Sequence, residues 1–321
     1  MATYKGIKGF KVDSLTSDPT TTGSVGQFYY NSTSNAFKYV QPGTVGTWAS
    51  GADLNTARNT LASPVNATQT AGLAFGGYVT GAVALSEEYN GSSWSVGNVL
   101  NTARYGLKGM GTQTAALTAG GNSPDTASEL YNGTTWTNST SIPSGKANGA
   151  SAGLQTSGLI FGGVPPATGD VNTFLWNGSS WTEVGDMVQA KRNMAGFGTS
   201  TAAISAGGET PSVTANVELY NGSSWTEIAN LNTARRALAG SGTSTDGLVY
   251  GGTTGSFTAV TEAWNGTAWT EVADLATARS TLAGMGTGSA SLAVGGEGPG
   301  NLANTEEWNV PDVVIKTVTT S

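Results

Sequence analysis

Apolar and polar positions along this chain alternate in short runs and never sustain a helical period. DGLVYGG (246–252), VTEAWN (260–265) and AWTEVADL (268–275) are rich in Val, Thr and aromatics and are bounded by turn residues. Runs of that kind read as short strands. With ALAGSGT (237–243) they predict one four-stranded unit. Asn265-Gly266 lies between its third and fourth strands. That dipeptide predicts a two-residue type I′ hairpin, which needs positive φ at both positions.

The unit recurs. Trp falls at 48, 94, 136, 181, 225 and 269, at spacings of 46, 42, 45, 44 and 44. A fixed period of this size signals a repeat architecture. Ten residues after each Trp stands a cation: Arg58, Arg104, Lys146, Lys191, Arg235 and Arg279. A Gly-Gly pair follows each cation after 16 residues, or 18 in the first unit, and Asn-Gly comes four residues before each later Trp. Four short strands in each of six units predict an all-β, six-bladed β-propeller.

The Gly-Gly pair, the aromatic before Asn-Gly and the downstream Trp resemble the kelch repeat, over about residues 46–309. The resemblance implies a bladed disc with the first strand of each unit at the axis and the fourth outside. The sixth unit stops at Asn309 without an NGxxW segment, and TWASGADL around Trp48 is a fourth strand with no strands before it. The two fragments together predict a sixth blade that closes the ring through the N-terminal strand.

Composition narrows the chemistry. Net charge is −7, which argues against nucleic-acid binding, since that needs a basic stripe. No apolar run is long enough to span a membrane, and residues 1–20 lack a signal-peptide core, so assembly in a host cytoplasm is expected. Cys and His are both absent. That removes Cys/His zinc sites and any catalysis by those residues, and no cofactor is implied. The NGS and NGT tripeptides match glycosylation sequons but read more simply as hairpin turns.

Residues 1–45 lie outside the repeat. They carry Lys5, Lys8, Lys11 and Lys38 against Asp13 and Asp18, about +2, while the remainder is about −9. SDPTTTGSVG reads as a flexible linker. GQFYYNSTSNAFKYV then reads as a hairpin, with Phe28 to Tyr30 facing Phe37 to Val40. Its GQxYYNxxxNxxKYV pattern resembles segments near the N-termini of bacteriophage tail-fibre and other virion proteins. Joined to the NTAR and GTQTAA kelch units, the whole resembles virion-associated kelch proteins of marine phages. The resemblance implies a structural or host-recognition role on a particle, in multiple copies, with residues 1–45 contacting other virion subunits. Residues 310–321 form a tail able to add a strand to a neighbour.

The six repeated cations form a ring where they enter the first strands. A cationic funnel there would hold an anion or acidic sugar. The structural reading carries more weight, because Glu87, Glu129, Glu218, Glu262 and Glu306 recur with the cations and suggest one ion pair per unit. Phe174 is the exception, in the unit that has Lys146. All nine Trp occupy repeat positions and are expected to pack between blades. Gly109 and Gly111, like Gly284 and Gly286, permit close approach along the first strand. The loop between the second and third strands varies most, while NGxxW stays fixed, which is how a scaffold presents a binding surface. Tyr78, Tyr105, Arg236 and Phe257 fall out of register on that face and are the candidate ligand-binding residues.

An enzyme is disfavoured. Kelch-type copper oxidases use Cys, Tyr and His at the metal. Sialidase propellers need an Arg cluster with Tyr and acids, and NGSSW lacks the Asp of their SxDxGxxW box. The expectation is therefore a non-enzymatic virion protein, a tail fibre or appendage, displaying its propeller toward a host-surface glycan or protein. The alternatives are a capsid decoration or head-fibre protein, or a soluble bacterial kelch adaptor that binds a protein partner.

Overall fold

A computed structural model describes residues 12–318 apart from 22, 23, 25, 43–45, 123, 124, 166, 168 and 312. Lys5, Lys8 and Lys11 lie outside the described residues. The chain divides into two units. One comprises residues 47–309, and the other gathers the two ends of the chain.

Residues 47–309 fold into small antiparallel sheets, all but the last built from strands of a single stretch of chain. In the fifth repeat the strands are Ala239–Gly242, Gly247–Tyr250, Thr261–Trp264 and Trp269–Glu271. Burial explains the sequence pattern. The second strand is buried throughout, whereas the fourth buries Trp269 and exposes the two residues after it. Exposure to solvent is therefore greatest at the outermost strand. The second, third and fourth repeats build equivalent sheets from innermost strands at Lys108–Thr112, Ala150–Leu154 and Ala195–Thr199.

The first repeat departs from the expected four strands. Its sheet has three, Gly72–Phe75, Ser86–Tyr89 and Trp94–Val96. An isolated bridge between Ala62 and Phe75 stands in for the innermost strand. Pro64 sits in that segment and has no N–H to give to a ladder. The same segment holds the two extra residues between Arg58 and Gly76.

The last sheet takes Ala283–Gly286, Ala290–Val294 and Thr305–Asn309 from the C-terminal end of the array. Its fourth strand is Thr47–Ser50, paired antiparallel with Trp48 opposite Trp308. One core cluster joins Leu54, Tyr89 and Trp94 to Met285 and Leu292, residues from both ends of the array.

The NGxxW turns differ from the type I′ expectation. Tyr89 faces Trp94 in register, so the connection has four residues. Gly91 is left-handed at φ 89°, but Asn90 is not. The Asn90 side chain instead accepts backbone N–H from Ser92 and Ser93 at 3.0 and 2.9 Å. The same bonds form at Asn132, Asn177, Asn221 and Asn265. An Asn side chain that caps its own turn removes the need for a second positive φ.

Trp rings join neighbouring sheets. The indole N–H of Trp94 donates to Thr305 Oγ1 at 2.9 Å, that of Trp136 to Ser86 Oγ at 3.0 Å, and that of Trp225 to Thr173 Oγ1 at 3.0 Å. Trp48 follows the rule, donating to Thr261 Oγ1 at 3.0 Å, with its ring 4.8 Å from that of Tyr250. Each such ring buries roughly 150–250 Å², a gross stabilisation of about 4–6 kcal/mol at about 25 cal/mol/Å². The sheets converge most closely along the innermost strands. A Cβ at Gly284 would come within 2.5 Å of Tyr250 Oη, and one at Gly109 within 2.5 Å of Phe75 Cζ.

The second unit is a sheet ordered Asp13–Leu15, Phe28–Asn31, Ala36–Pro42, Val313–Thr317. The hairpin register sets Phe28 against Tyr39 and Tyr30 against Phe37. The C-terminal strand adds antiparallel to this chain's own hairpin. Asp18, expected in a flexible linker, is tied down instead. It accepts from Tyr29 Oη at 2.7 Å, Asn31 Nδ2 at 2.5 Å and Lys38 Nζ at 2.7 Å. Those partners, the Lys38 bond first, hold its pKa below the usual carboxylate value.

Thr47–Ser50 supplies a strand and an inter-sheet Trp, so a chain lacking residues 1–50 loses both. In scanning calorimetry that chain should melt far below one beginning at residue 46. Equal melting temperatures would show that the strand at Trp48 does not hold the two ends of the array together.

Candidate functional site

The repeated cations do not form an open funnel. Arg58, Arg104, Lys146, Lys191, Arg235 and Arg279 are all buried, none more than 1% exposed. Each meets a carboxylate of its own repeat. Arg58 pairs with Glu87, Arg104 with Glu129 at 2.7 Å, Lys191 with Glu218 at 3.1 Å, Arg235 with Glu262 at 2.5 Å and Arg279 with Glu306 at 3.1 Å. In the repeat where Phe174 replaces Glu, Lys146 pairs with Asp170 and lies 5.3 Å from the Phe174 ring centroid.

These carboxylates do a second job. Glu262 Oε2 accepts the backbone N–H of Asn232 at 2.7 Å and its side-chain amide at 2.8 Å. Glu87 and Glu129 hold Asn55 and Asn101 in the same way. Each of the five Glu pairs therefore clamps the segment that crosses from one sheet to the next. Burial lowers the pKa of Arg58, Arg235 and Arg279, and the paired carboxylates oppose that shift.

Two residues beyond each cation the backbone turns left-handed. The positions are Thr60, Gly106, Asn148, Asn193, Ala237 and Thr281, with φ between 49° and 67°. At Thr and Ala this conformation costs roughly 1–2 kcal/mol. A closed chain of backbone hydrogen bonds holds it. Gly106 N–H donates to Thr60 O, Asn148 to Gly106, Asn193 to Asn148, Ala237 to Asn193, Thr281 to Ala237 and Thr60 to Thr281, all at 2.7–2.9 Å. Six residues from six repeats thus form one hydrogen-bonded ring.

Three spaces adjoin this ring. A depression of about 550 Å³ is lined by Asn193, Ala237 and Thr281 from the ring, by Arg236, and by Phe257 and Glu297 from the loops between second and third strands. A space of about 30 Å³ is lined by five of the ring residues, Thr60, Asn148, Asn193, Ala237 and Thr281, and by Lys108. A space of about 60 Å³, also lined by Lys108, lies among the innermost strands.

The four expected binding residues fall into two pairs. Arg236 and Phe257 line the depression together. Phe257 is 41% exposed, but Arg236 is engaged, donating to Glu209 at 2.7 Å. Glu209 is buried and also meets Arg192 at 2.9 Å and the Asn193 amide at 2.9 Å. Tyr78 and Tyr105 form a separate edge-on pair with centroids 5.3 Å apart. Neither Tyr lines the depression.

Sequence reasoning missed the ring and Lys108. Counted from the cation, the fourth position is Ala62, Lys108, Ala150, Ala195, Ala239 and Ala283. A single Lys among five Ala was the available signal. No other titratable side chain lines either inner space. Burial alone pulls the Lys108 pKa from 10.5 to about 8. Among the described residues no cluster of acids has the arrangement of a metal site, and no helix is long and apolar enough to cross a membrane.

No family model matches the chain, and no curated protein matches it in sequence. Among solved structures, that of YjhT matches with a TM-score of 0.66 at 12% identity, over 83% of this chain and 99% of that one. At such identity the likeness is one of fold. With the succession of small antiparallel sheets, it defines the chain as a β-propeller.

Removing one partner of a buried pair strands the other. Glu262→Ala should cost about 3–5 kcal/mol in denaturant unfolding, and a loss below 1 kcal/mol would refute the clamp. Lys108 gives a pH signature. Between pH 8 and 10.5 the folded chain binds fewer protons at this residue than the unfolded chain, so its stability rises with pH there. The stability difference between the natural chain and Lys108→Ala should shrink over that window. A constant difference would contradict the desolvated ammonium.

Proposed function

We propose that this chain is a six-bladed kelch-type propeller, its ring closed by the strand at Trp48. We read it as a non-enzymatic bacteriophage virion protein, a tail fibre or appendage, that displays the propeller for host-surface recognition. The hydrogen-bonded ring of six residues and the pairing of Trp48 with Trp308 support the blade count and the closure. The observation that carries the recognition reading is the depression of about 550 Å³, where an exposed Phe257 stands beside Thr253, Ser256 and Glu297. An aromatic face with polar neighbours suits a sugar ring or a protein loop. Repeats hold the floor, and the variable loops supply the rim.

The terminal unit supports attachment. Phe28, Tyr30, Phe37 and Tyr39 share one face of its sheet, and Phe28 and Phe37 are 55% and 43% exposed. Apolar residues exposed together on one face mark an interaction surface. We assign that surface, with residues 1–45, to contacts with other virion subunits. The absence of His and Cys from the sequence and the engagement of each repeat cation by a carboxylate support a non-enzymatic role.

A chain of residues 46–309 should fold yet fail to join particles in a complementation assay. Phe257→Ala and Tyr78→Ala should leave assembly intact and reduce adsorption to host cells about tenfold, the loss of roughly 1.4 kcal/mol of binding. Normal incorporation of the shortened chain would overturn the attachment reading. Normal adsorption by both loop variants would leave a structural or decorative protein.

A further inference from the structure

Residues 47–309 contain nine Lys and Arg residues. Eight of them form ion pairs: the six repeat cations, Arg192 and Arg236. Lys108 is the exception. Among the described residues its ammonium has neither a carboxylate nor a hydrogen-bond acceptor. Its backbone carbonyl accepts from the Thr118 hydroxyl at 3.0 Å.

Its position argues against a packing role. Lys108 opens the innermost strand of its sheet, where four other repeats open theirs with Ala150, Ala195, Ala239 and Ala283. A methyl group satisfies the packing there. The lysine instead places a charge in the narrow space among the five innermost strands and the Ala62 segment of the first repeat, and it lines both the 60 and the 30 Å³ spaces. Ser63 and Ser151 line the larger space, but their hydroxyls already donate to Gly284 O and Gly109 O, each at 2.8 Å. The ring carbonyls already accept from ring N–H groups. The surrounding protein therefore offers Lys108 no counter-charge. Lys108 keeps part of its surface open to the space it lines, so what it lacks there is a protein partner, and a charge in a narrow protein space without one is costly.

We propose that Lys108 forms the floor of a small-anion site on the propeller axis, and that a monovalent anion supplies the counter-charge the chain omits. Spaces of 30 and 60 Å³ hold something the size of a halide or a carboxylate group, not a whole sugar. Asn148 lines the smaller space and has a side-chain amide to donate. The smaller space shares Asn193, Ala237 and Thr281 with the wide depression. The anion therefore comes from one of two sources. It is a free halide, or it is the acid group of a ligand lying in the depression. The proposal stands whether or not the depression binds a host receptor. The lowered pKa of Lys108 agrees with an ammonium that lacks its partner.

The test uses the full chain, Lys108→Ala and Lys108→Met. Ala is the residue of the other five repeats, and Met keeps the length of the side chain without the charge. Crystals soaked in bromide should give an anomalous peak beside Lys108 in the natural chain and none in either variant. In thermal unfolding at constant ionic strength, replacing isethionate, a sulfonate with no carboxylate, by chloride should raise the melting temperature of the natural chain by a few degrees and leave both variants unmoved. Glucuronate against glucose separates the sources. A rise with glucuronate beyond that with chloride identifies the acid group of a sugar, and an equal or smaller rise identifies a free anion. The proposal is overturned if no peak forms in the channel, or if the variants respond to chloride as the natural chain does.

Discussion

Five of the repeats depend on one buried carboxylate each, Glu87, Glu129, Glu218, Glu262 and Glu306. Glu262 stands for the set: it faces the Arg235 guanidinium and also accepts the backbone N–H of Asn232 in the crossing segment. A buried ion pair adds little net stability over an apolar pair of the same shape, but breaking it is expensive. Its value here is geometric. The carboxylate fixes the angle at which the chain leaves one sheet and enters the next. In the Lys146 repeat the cation is still paired, with Asp170 and beside the Phe174 ring, but Asp170 accepts from Val171 and Asn172 of its own loop and not from the crossing segment.

Fixing the crossing segments has two consequences at the axis. The residues just beyond the cations reach left-handed conformations, and their backbones meet in a closed hydrogen-bonded ring. The loops between second and third strands vary in sequence, and a few of their side chains still bond the next repeat, Glu209 to Arg236 and Asn301 to Asn59 and Val79. The 550 Å³ depression lies where these loops meet the ring. Glu209 belongs to one such loop and gathers Arg192, Asn193 and Arg236 into a fixed polar wall.

The terminal unit follows a different logic. Its strands come from both ends of the chain and include one parallel pairing, Asp13–Leu15 with Phe28–Asn31. Asp18 anchors it through Tyr29, Asn31 and Lys38. Tyr29 and Val40 are buried, while Phe28 and Phe37 face outward. A strand places successive side chains on opposite faces, so the FYYN and AFKYV segments hold buried and exposed aromatics at once.

What the sequence determined is what each repeat decides locally. Strand positions, the Trp period and the cation at its constant interval all follow from alternation and turn chemistry within about 44 residues. The Glu that answers each cation was legible for the same reason, as a second period in step with the first. The Asn-Gly turn misled because Asn90 caps its own loop, an option the dipeptide does not reveal. The first repeat lost its inner strand to Pro64, a single residue against a six-fold pattern. Tertiary structure alone decided the rest. The axial ring is made of backbone groups from successive repeats, so the side chains at Thr60, Asn193 and Ala237 carry no common mark of it. Lys108 is unremarked in a linear reading, because the isolation of a charge depends on what other strands bring near it. The partner of the 310–321 tail was equally hidden. Edge pairing uses main-chain groups that every residue except proline possesses, and only the folded chain selects which edge is met.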